Sequence, residues 1–245
     1  KRDEMKQLIG LLLLSIPIFS FANVTITINE TQYHYSDNPR LTEVLEPIAG
    51  ENWYWPAATL FRLNDKKIEK SREQAISALA SLTDNSLLFD DYRPAANYLI
   101  SQIKAWNLAT RVNITIDYDL ARIKPEFNPQ FEDGEYLLSI KPPKIPIYEF
   151  GMTEKTGFFT AVTGMCADQY LTGKQLKPLA DKDYLYVVQP NGEITKVGKA
   201  YWNYQCRTLM PGAQLFVPIS EKDVFSQVSK VNKLVAELSL NRIMR

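Results

Sequence analysis

Apolar and polar residues alternate over Val24-Thr25-Ile26-Thr27-Ile28, the period of a half-buried strand. Asn29 and Glu30 turn the chain, and Thr31 to Tyr35 reads as the return strand. Leu41, Val44 and Leu45 then share a helical face, with Asp37 or Asn38 available as the cap. A hairpin followed by a helix is the opening of a β-grasp unit. Ile68, Ala75, Ile76, Leu79 and Leu82 mark one amphipathic helix, and Ala95, Tyr98, Leu99, Ile103 and Trp106 a second. Pro94, just after Asp90 and Asp91, suits the first turn of that second helix. Their short link predicts an antiparallel pair covering one side of a small sheet. Alternation resumes from Arg111 to Asp117, and Tyr136 to Ile140 reads as a further strand.

Lys141-Pro142-Pro143-Lys144-Ile145-Pro146 cannot continue a central strand, because proline has no N–H for the ladder. The domain boundary is placed there. Beyond it the first outline repeats: strands at Ile147–Phe150 and Phe158–Val162, a short helix at Cys166–Leu171, then strands at Tyr184–Val188 and Ile194–Val197. Asn191-Gly192 between the last two is a strong hairpin turn, since both residues tolerate φ > 0. Pro211 to Ile219 gives a turn and a last strand. The chain closes on Val224, Val228, Val231, Val235 and Leu238, a heptad-like seam on an amphipathic helix. Docking on its own protein is the favoured reading of that seam; a membrane surface or a partner is the alternative.

The apolar run from Leu8 to Phe21 follows Lys6 and ends at the small-x-small exit Ser20-Phe21-Ala22. A basic start, a greasy core too short to span and such an exit predict a cleavable secretory signal. Residues 1–4 precede Met5 and read as a mis-set start. The expected organisation is a signal peptide over 1–22, a first domain over 23–141 with a helical hairpin at about 66–107, a second domain over 142–220, and a terminal helix over 221–245. Without residues 1–22 the 28 basic and 28 acidic side chains become 25 and 26, a net charge of −1. That balance gives no basic face for nucleic acid. Export also changes the reading of Cys166 and Cys206: an oxidising compartment favours a disulfide over two unpaired core thiols. Two cysteines with one histidine do not make a zinc site.

Little in the sequence promises catalysis. His34, the single histidine, lies in a predicted strand and reads as a surface or satisfied residue. Asp90/Asp91, Asp117/Asp119 and Asp181/Asp183 are close carboxylate pairs that caps and turns explain. No phosphate-binding glycine loop and no cofactor motif is present. Two features suit sugar instead. Trp53, Tyr54 and Trp55 offer faces for stacking on C–H surfaces, or else fill the gap under the helical hairpin. Arg111, where a helix hands over to a strand, offers a fork matching carboxylate or phosphate, or else sits exposed at a strand start.

Four stretches, in this order and spacing, carry a family resemblance: Trp53-Tyr54-Trp55-Pro56-Ala57-Ala58, Leu108-Ala109-Thr110-Arg111-Val112-Asn113-Ile114, Val188-Gln189-Pro190-Asn191-Gly192-Glu193 and Pro211-Gly212-Ala213-Gln214-Leu215-Phe216. With the terminal helix, they make the mature chain resemble the GfcC-type capsule biosynthesis family, periplasmic proteins encoded with group 4 capsule machinery. The resemblance implies an α+β fold of two β-grasp domains, the first with an inserted helical hairpin. It also implies kinship with the periplasmic domains of polysaccharide-export outer-membrane channels, whose terminal helix crosses the membrane. Lys230, Lys233 and Glu237 argue against that role here. The cysteine pairing rests on compartment and spacing, not on the resemblance. The expected function is a periplasmic accessory that binds capsular polysaccharide, a lipid-linked glycan or the export machinery, without cofactor. The rivals are an enzyme that modifies or transfers the polysaccharide, with Arg111 and a nearby carboxylate at its site, and a structural partner of the export channel working through the terminal helix.

Overall fold

In a computed structural model of the chain, which describes residues 23–83, 92–221 and 226–244, the alternating segments build two five-stranded sheets. The signal at 1–22, the pair Asp90/Asp91 and the seam residue Val224 lie outside the described residues. The first sheet runs β2-β1-β5-β3-β4, from β1 (Val24–Ile28), β2 (Thr31–Tyr35), β3 (Thr59–Arg62), β4 (Thr110–Val112) and β5 (Gly134–Ser139). The second runs β7-β6-β10-β8-β9, from β6 (Ile147–Gly151), β7 (Gly157–Phe159), β8 (Tyr184–Val188), β9 (Ile194–Gly198) and β10 (Gln214–Val217). Strand for strand the second repeats the first. Each opens with an antiparallel hairpin whose first strand pairs in parallel with the last strand of its sheet.

Alternation explains why the first sheet holds. Val24, Ile26 and Ile28 point into a core with Leu41, Val44 and Leu45 of helix α1 (Leu41–Leu45), while Thr25 and Thr27 face the other way. α1 is not capped by Asp37 or Asn38. It begins after Arg40, whose backbone N–H donates to the Glu43 carboxylate at 2.9 Å, while Asn38 donates to the Phe131 carbonyl at 2.7 Å. The strand expected over Arg111–Asp117 stops at Val112. Asp117 accepts a hydrogen bond from the Leu120 N–H at 2.9 Å and so starts a short helix, α4 (Tyr118–Ile123). Helix capping outcompetes the ladder there because β4 is an edge strand with no outer neighbour to pair.

The helical pair α2 (Lys66–Ser81) and α3 (Arg93–Ala105) lies in sequence between β3 and β4 of the first sheet, but it covers the second. Leu79, Leu99, Ile103 and Trp106 share one core with Phe150, Leu215, Phe216 and the C-terminal helix. Trp106 meets Phe150 edge to face at 5.3 Å between ring centres. Gln102 fixes the register by exchanging two 3.0 Å hydrogen bonds with the backbone of Gly151. At Gly151 φ is +100°, and a Cβ there would collide with the Val217 carbonyl, so only glycine lets β6 lie this close to β10.

Helix α5 (Ser226–Ser239) closes the same core. Its described seam residues Val228, Val231, Val235 and Leu238 are all buried on the protein itself. Asn232, also buried, satisfies the end of the sheet: its side chain accepts from the Ile219 N–H at 3.1 Å and donates to the Ile219 carbonyl at 2.8 Å. Among the described residues no helix is long and apolar enough to cross a membrane.

Candidate functional site

Three parts of the chain meet at Arg111. It occupies β4, the edge of the first sheet, where its backbone N–H donates to the Asn241 side chain at 3.0 Å. Asn241 belongs to the tail after α5, which returns to the first sheet: its carbonyl accepts from Ala109 at 2.9 Å, and Ile243 donates to the Asn107 carbonyl at 2.9 Å. The Arg111 guanidinium crosses to the second unit and donates to the Pro190 carbonyl in the turn between β8 and β9. Burial holds this guanidinium below the ordinary arginine value. It remains a cation at any physiological pH. Its Nε is buried with no protein partner.

On one side of Arg111 lies a groove of about 490 Å³ walled by Trp55, Pro56, Asn113, Asn191 and Met210. That volume lies within the range of small-molecule sites. Trp55 comes from the short 3-10 turn that leads into β3, and Asn191 from the tight turn of the second unit, so both units contribute. On the other side is a chamber of about 60 Å³, enough for a water or two. Arg111, Lys141 and Arg242 line it, no carboxylate does, and Gln189 and Gln214 add amides. Arg242 Nη1 and Gln214 Oε1 are, like Arg111 Nε, buried without a protein partner. Arg242 also stacks over Tyr148, 3.9 Å from the ring centre. Arg111 borders both spaces, with two further cations on the chamber side and a tryptophan on the groove side, so an anionic group held by its guanidinium can carry a ring into the groove.

The structure thus brings Arg111 and Trp55 together and leaves the other two aromatics out. Trp53 packs on the first core and donates its indole N–H to the Ile48 carbonyl at 3.0 Å. Tyr54 lines neither space; its backbone N–H donates to the Lys141 carbonyl at 3.0 Å. None of the three fills a gap under the helical hairpin, because the hairpin covers the other sheet. Arg111 is not exposed at a strand start. Sequence reasoning did not find Lys141, Asn113, Asn191 or Arg242. Asn191 was legible as a turn residue and as part of a family-like stretch but not as a groove wall, and Arg242 had no local signal.

The described carboxylate pairs, Asp117/Asp119 and Asp181/Asp183, do not gather in the groove. Asp117, its one acidic residue, caps α4. Asp181 accepts from the Asp183 and Tyr184 N–H groups, both at 2.8 Å, in a turn. His34 bonds Thr25 across the β1–β2 edge at 3.2 Å. In a separate cavity of about 310 Å³ that Arg111 does not line, Glu149 and Glu154 are each paired with a lysine, Lys174 and Lys177 respectively. Burial pushes the Glu149 carboxyl above its ordinary range, against the pull of Lys174.

Cys166 and Cys206 form a disulfide with Cα atoms 5.0 Å apart. It ties the start of a 3-10 helix (Ala167–Leu171) to the loop after β9.

Residues 20–143 match the family described as capsule biosynthesis GfcC, N-terminal, and residues 156–244 match capsule biosynthesis GfcC, C-terminal. The chain is also 28% identical over 222 residues to the uncharacterized protein YjbG of Escherichia coli strain K12, covering 89% of this chain and 90% of that protein.

Proposed function

The chain belongs to the GfcC capsule biosynthesis family, and from that premise we propose that it is a periplasmic accessory protein that holds an anionic glycan, or the anionic carrier of one, beside Arg111 during capsule assembly. The observation that carries this reading is the Arg111 guanidinium, half-buried between a tryptophan-walled groove and a chamber of cations with its buried Nε unpartnered. A buried charge with a spare donor costs free energy unless something completes it. A carboxylate or phosphate does so with the fork geometry that arginine favours. The disulfide supports an oxidising address. The matching strand orders, each with a hairpin, a short helix and a central parallel pair, support two β-grasp units.

Lysine at Arg111 keeps the charge and loses the fork. Binding of short oligosaccharides from the purified capsular polymer is expected to weaken about tenfold or more in Arg111→Lys and Arg111→Ala, and capsule to fall with it. Arg111→Ala also orphans the Pro190 carbonyl, a stability loss of about 1–3 kcal/mol that stops short of unfolding. Unchanged oligosaccharide binding in both variants would remove Arg111 from the site. An unfolded Arg111→Ala protein would make the arginine structural.

The enzyme reading would rest on Glu149, the carboxyl with the raised pKa. It sits away from the groove and is held by Lys174. Glu149→Gln is therefore expected to leave capsule formation unchanged, and loss of polymer modification in that variant would revive the enzyme. A partner reading through α5 has to contend with a seam already covered by the protein's own core.

A further inference from the structure

Among the described residues, the largest exposed aromatic cluster lies away from Arg111, in the loop that follows β9. Tyr201 is 102% exposed, Trp202 68% and Tyr204 50%. Water-facing aromatics on a floppy loop would mean little, but this loop is built. The Cys166–Cys206 disulfide closes its far end, and the Ala167 N–H donates to the Arg207 carbonyl at 2.8 Å beside it. Asn203 braces the middle: its side chain accepts from the Ala200 N–H at 2.9 Å and donates to the Asp183 carbonyl at 3.1 Å. Gln205 donates back to the Gly198 carbonyl at 3.0 Å. Gly198 allows this, because a Cβ there would run into the Asn203 carbonyl. Trp202 rests edge-on against Tyr184, 6.0 Å between ring centres, and Lys196 stands over the Tyr184 ring at 4.3 Å.

We infer that Tyr201, Trp202 and Tyr204 form a second glycan contact, a stacking platform for the C–H face of a pyranose in the polymer. The inference rests on the reading that the ligand is a glycan. Side-chain chemistry selects that occupant. A loop that dips into lipid carries aliphatic residues among its aromatics, whereas this one interleaves amphipathic rings with the amides Asn203 and Gln205. Rigid rings lose little entropy on contact. The placement suits a polymer more than a monosaccharide. The β8–β9 hairpin pairs Tyr184 with Gly198 at the platform end and Val188 with Ile194 at the groove end. Four residues of strand separate the two, about 13 Å. The segment from Cys206 to Met210 then runs back to the groove, where Gln189 bonds the Met210 N–H at 3.0 Å. A chain held at Arg111 by its charged group thus has a neutral contact further along the same hairpin.

Trp202 is the exposed one of the four tryptophans while Trp55 in the groove is half-buried, so the acrylamide quenching that disappears in Trp202→Phe is the part that reports the platform. With the full mature protein and oligosaccharides cut from the purified capsular polymer, glycan is expected to protect Trp202 from quenching. Trp202→Ala should weaken binding about tenfold, Tyr201→Ala should weaken it less, and Trp202→Phe should stay near wild type. Thermal unfolding should be unchanged in all three. Wild-type affinity in Trp202→Ala would overturn the platform. So would protection of Trp202 by phosphatidylglycerol-containing vesicles but not by glycan. If Trp202→Ala loses binding while Arg111→Ala keeps it, the groove reading fails and the platform stands; the reverse result removes the platform alone. A wild-type protein that binds no oligosaccharide overturns both.

Discussion

Aspartate at Val231 or Val235 is expected to unfold the protein. Both valines are essentially inaccessible, at 2% and 0%, and they face the core that α2, α3 and the second sheet share. An unpaired charge forced into such a core costs on the order of 4 kcal/mol or more, counting lost packing. A domain of ordinary stability has about 5–15 kcal/mol in total. Urea unfolding followed by circular dichroism should therefore show each variant largely unfolded or with its midpoint sharply lowered. Leu234, on the same helix but 37% exposed, is the control. Leu234→Asp should cost no more than about 1 kcal/mol. Equal stability of Val231→Asp and Leu234→Asp would mean that the seam is not docked in solution.

That seam shows what the sequence made legible. Periods of two and seven report which residues face a core. They marked nine of the ten strands of the described residues, overrunning β4 and β7, and the four described seam residues on one helical side. Periodicity does not report which core. The apolar faces of α2 and α3 read correctly, but nothing local could say that a hairpin placed between β3 and β4 would reach over the second sheet. The choice is made by shape: the first sheet already has α1 and α4 around its core. Caps compete with strands on margins too small to read from pattern alone, which is why Asp117 ends β4 early. The groove was half legible. Arg111 and Trp55 stood out as a fork for an anion and a face for stacking on sugar, while Lys141 and Arg242 become neighbours of Arg111 only through the tertiary fold.

The disulfide carries the other large effect, and it separates global from local stability. Cys166 and Cys206 are 40 residues apart, and the loop they close contains all of β8 and β9. Opening a loop of that length frees the unfolded chain by roughly 4 kcal/mol in the chain-entropy account. For a chain of this size each kcal/mol moves the melting point by about 2–4 °C, so Cys166→Ala with Cys206→Ala should melt roughly 8–16 °C lower. Unfolded, unreduced wild-type protein should show no free thiol; two labelled thiols would refute the bond. β8 and β9 have partners beyond the disulfide, since β8 pairs with β10 and its interior residues are buried, so the double variant should still fold. The loop from Tyr201 to Tyr204 is otherwise held by backbone bonds, by Asn203 and by the edge contact of Trp202 on Tyr184. It should therefore loosen first. In the double variant chymotrypsin is expected to cut at Tyr201, Trp202 or Tyr204 well below the melting point, with the groove at Arg111 still formed. Resistance equal to wild type would show that Asn203 and Gly198 suffice to hold the platform, and that the disulfide serves the fold as a whole.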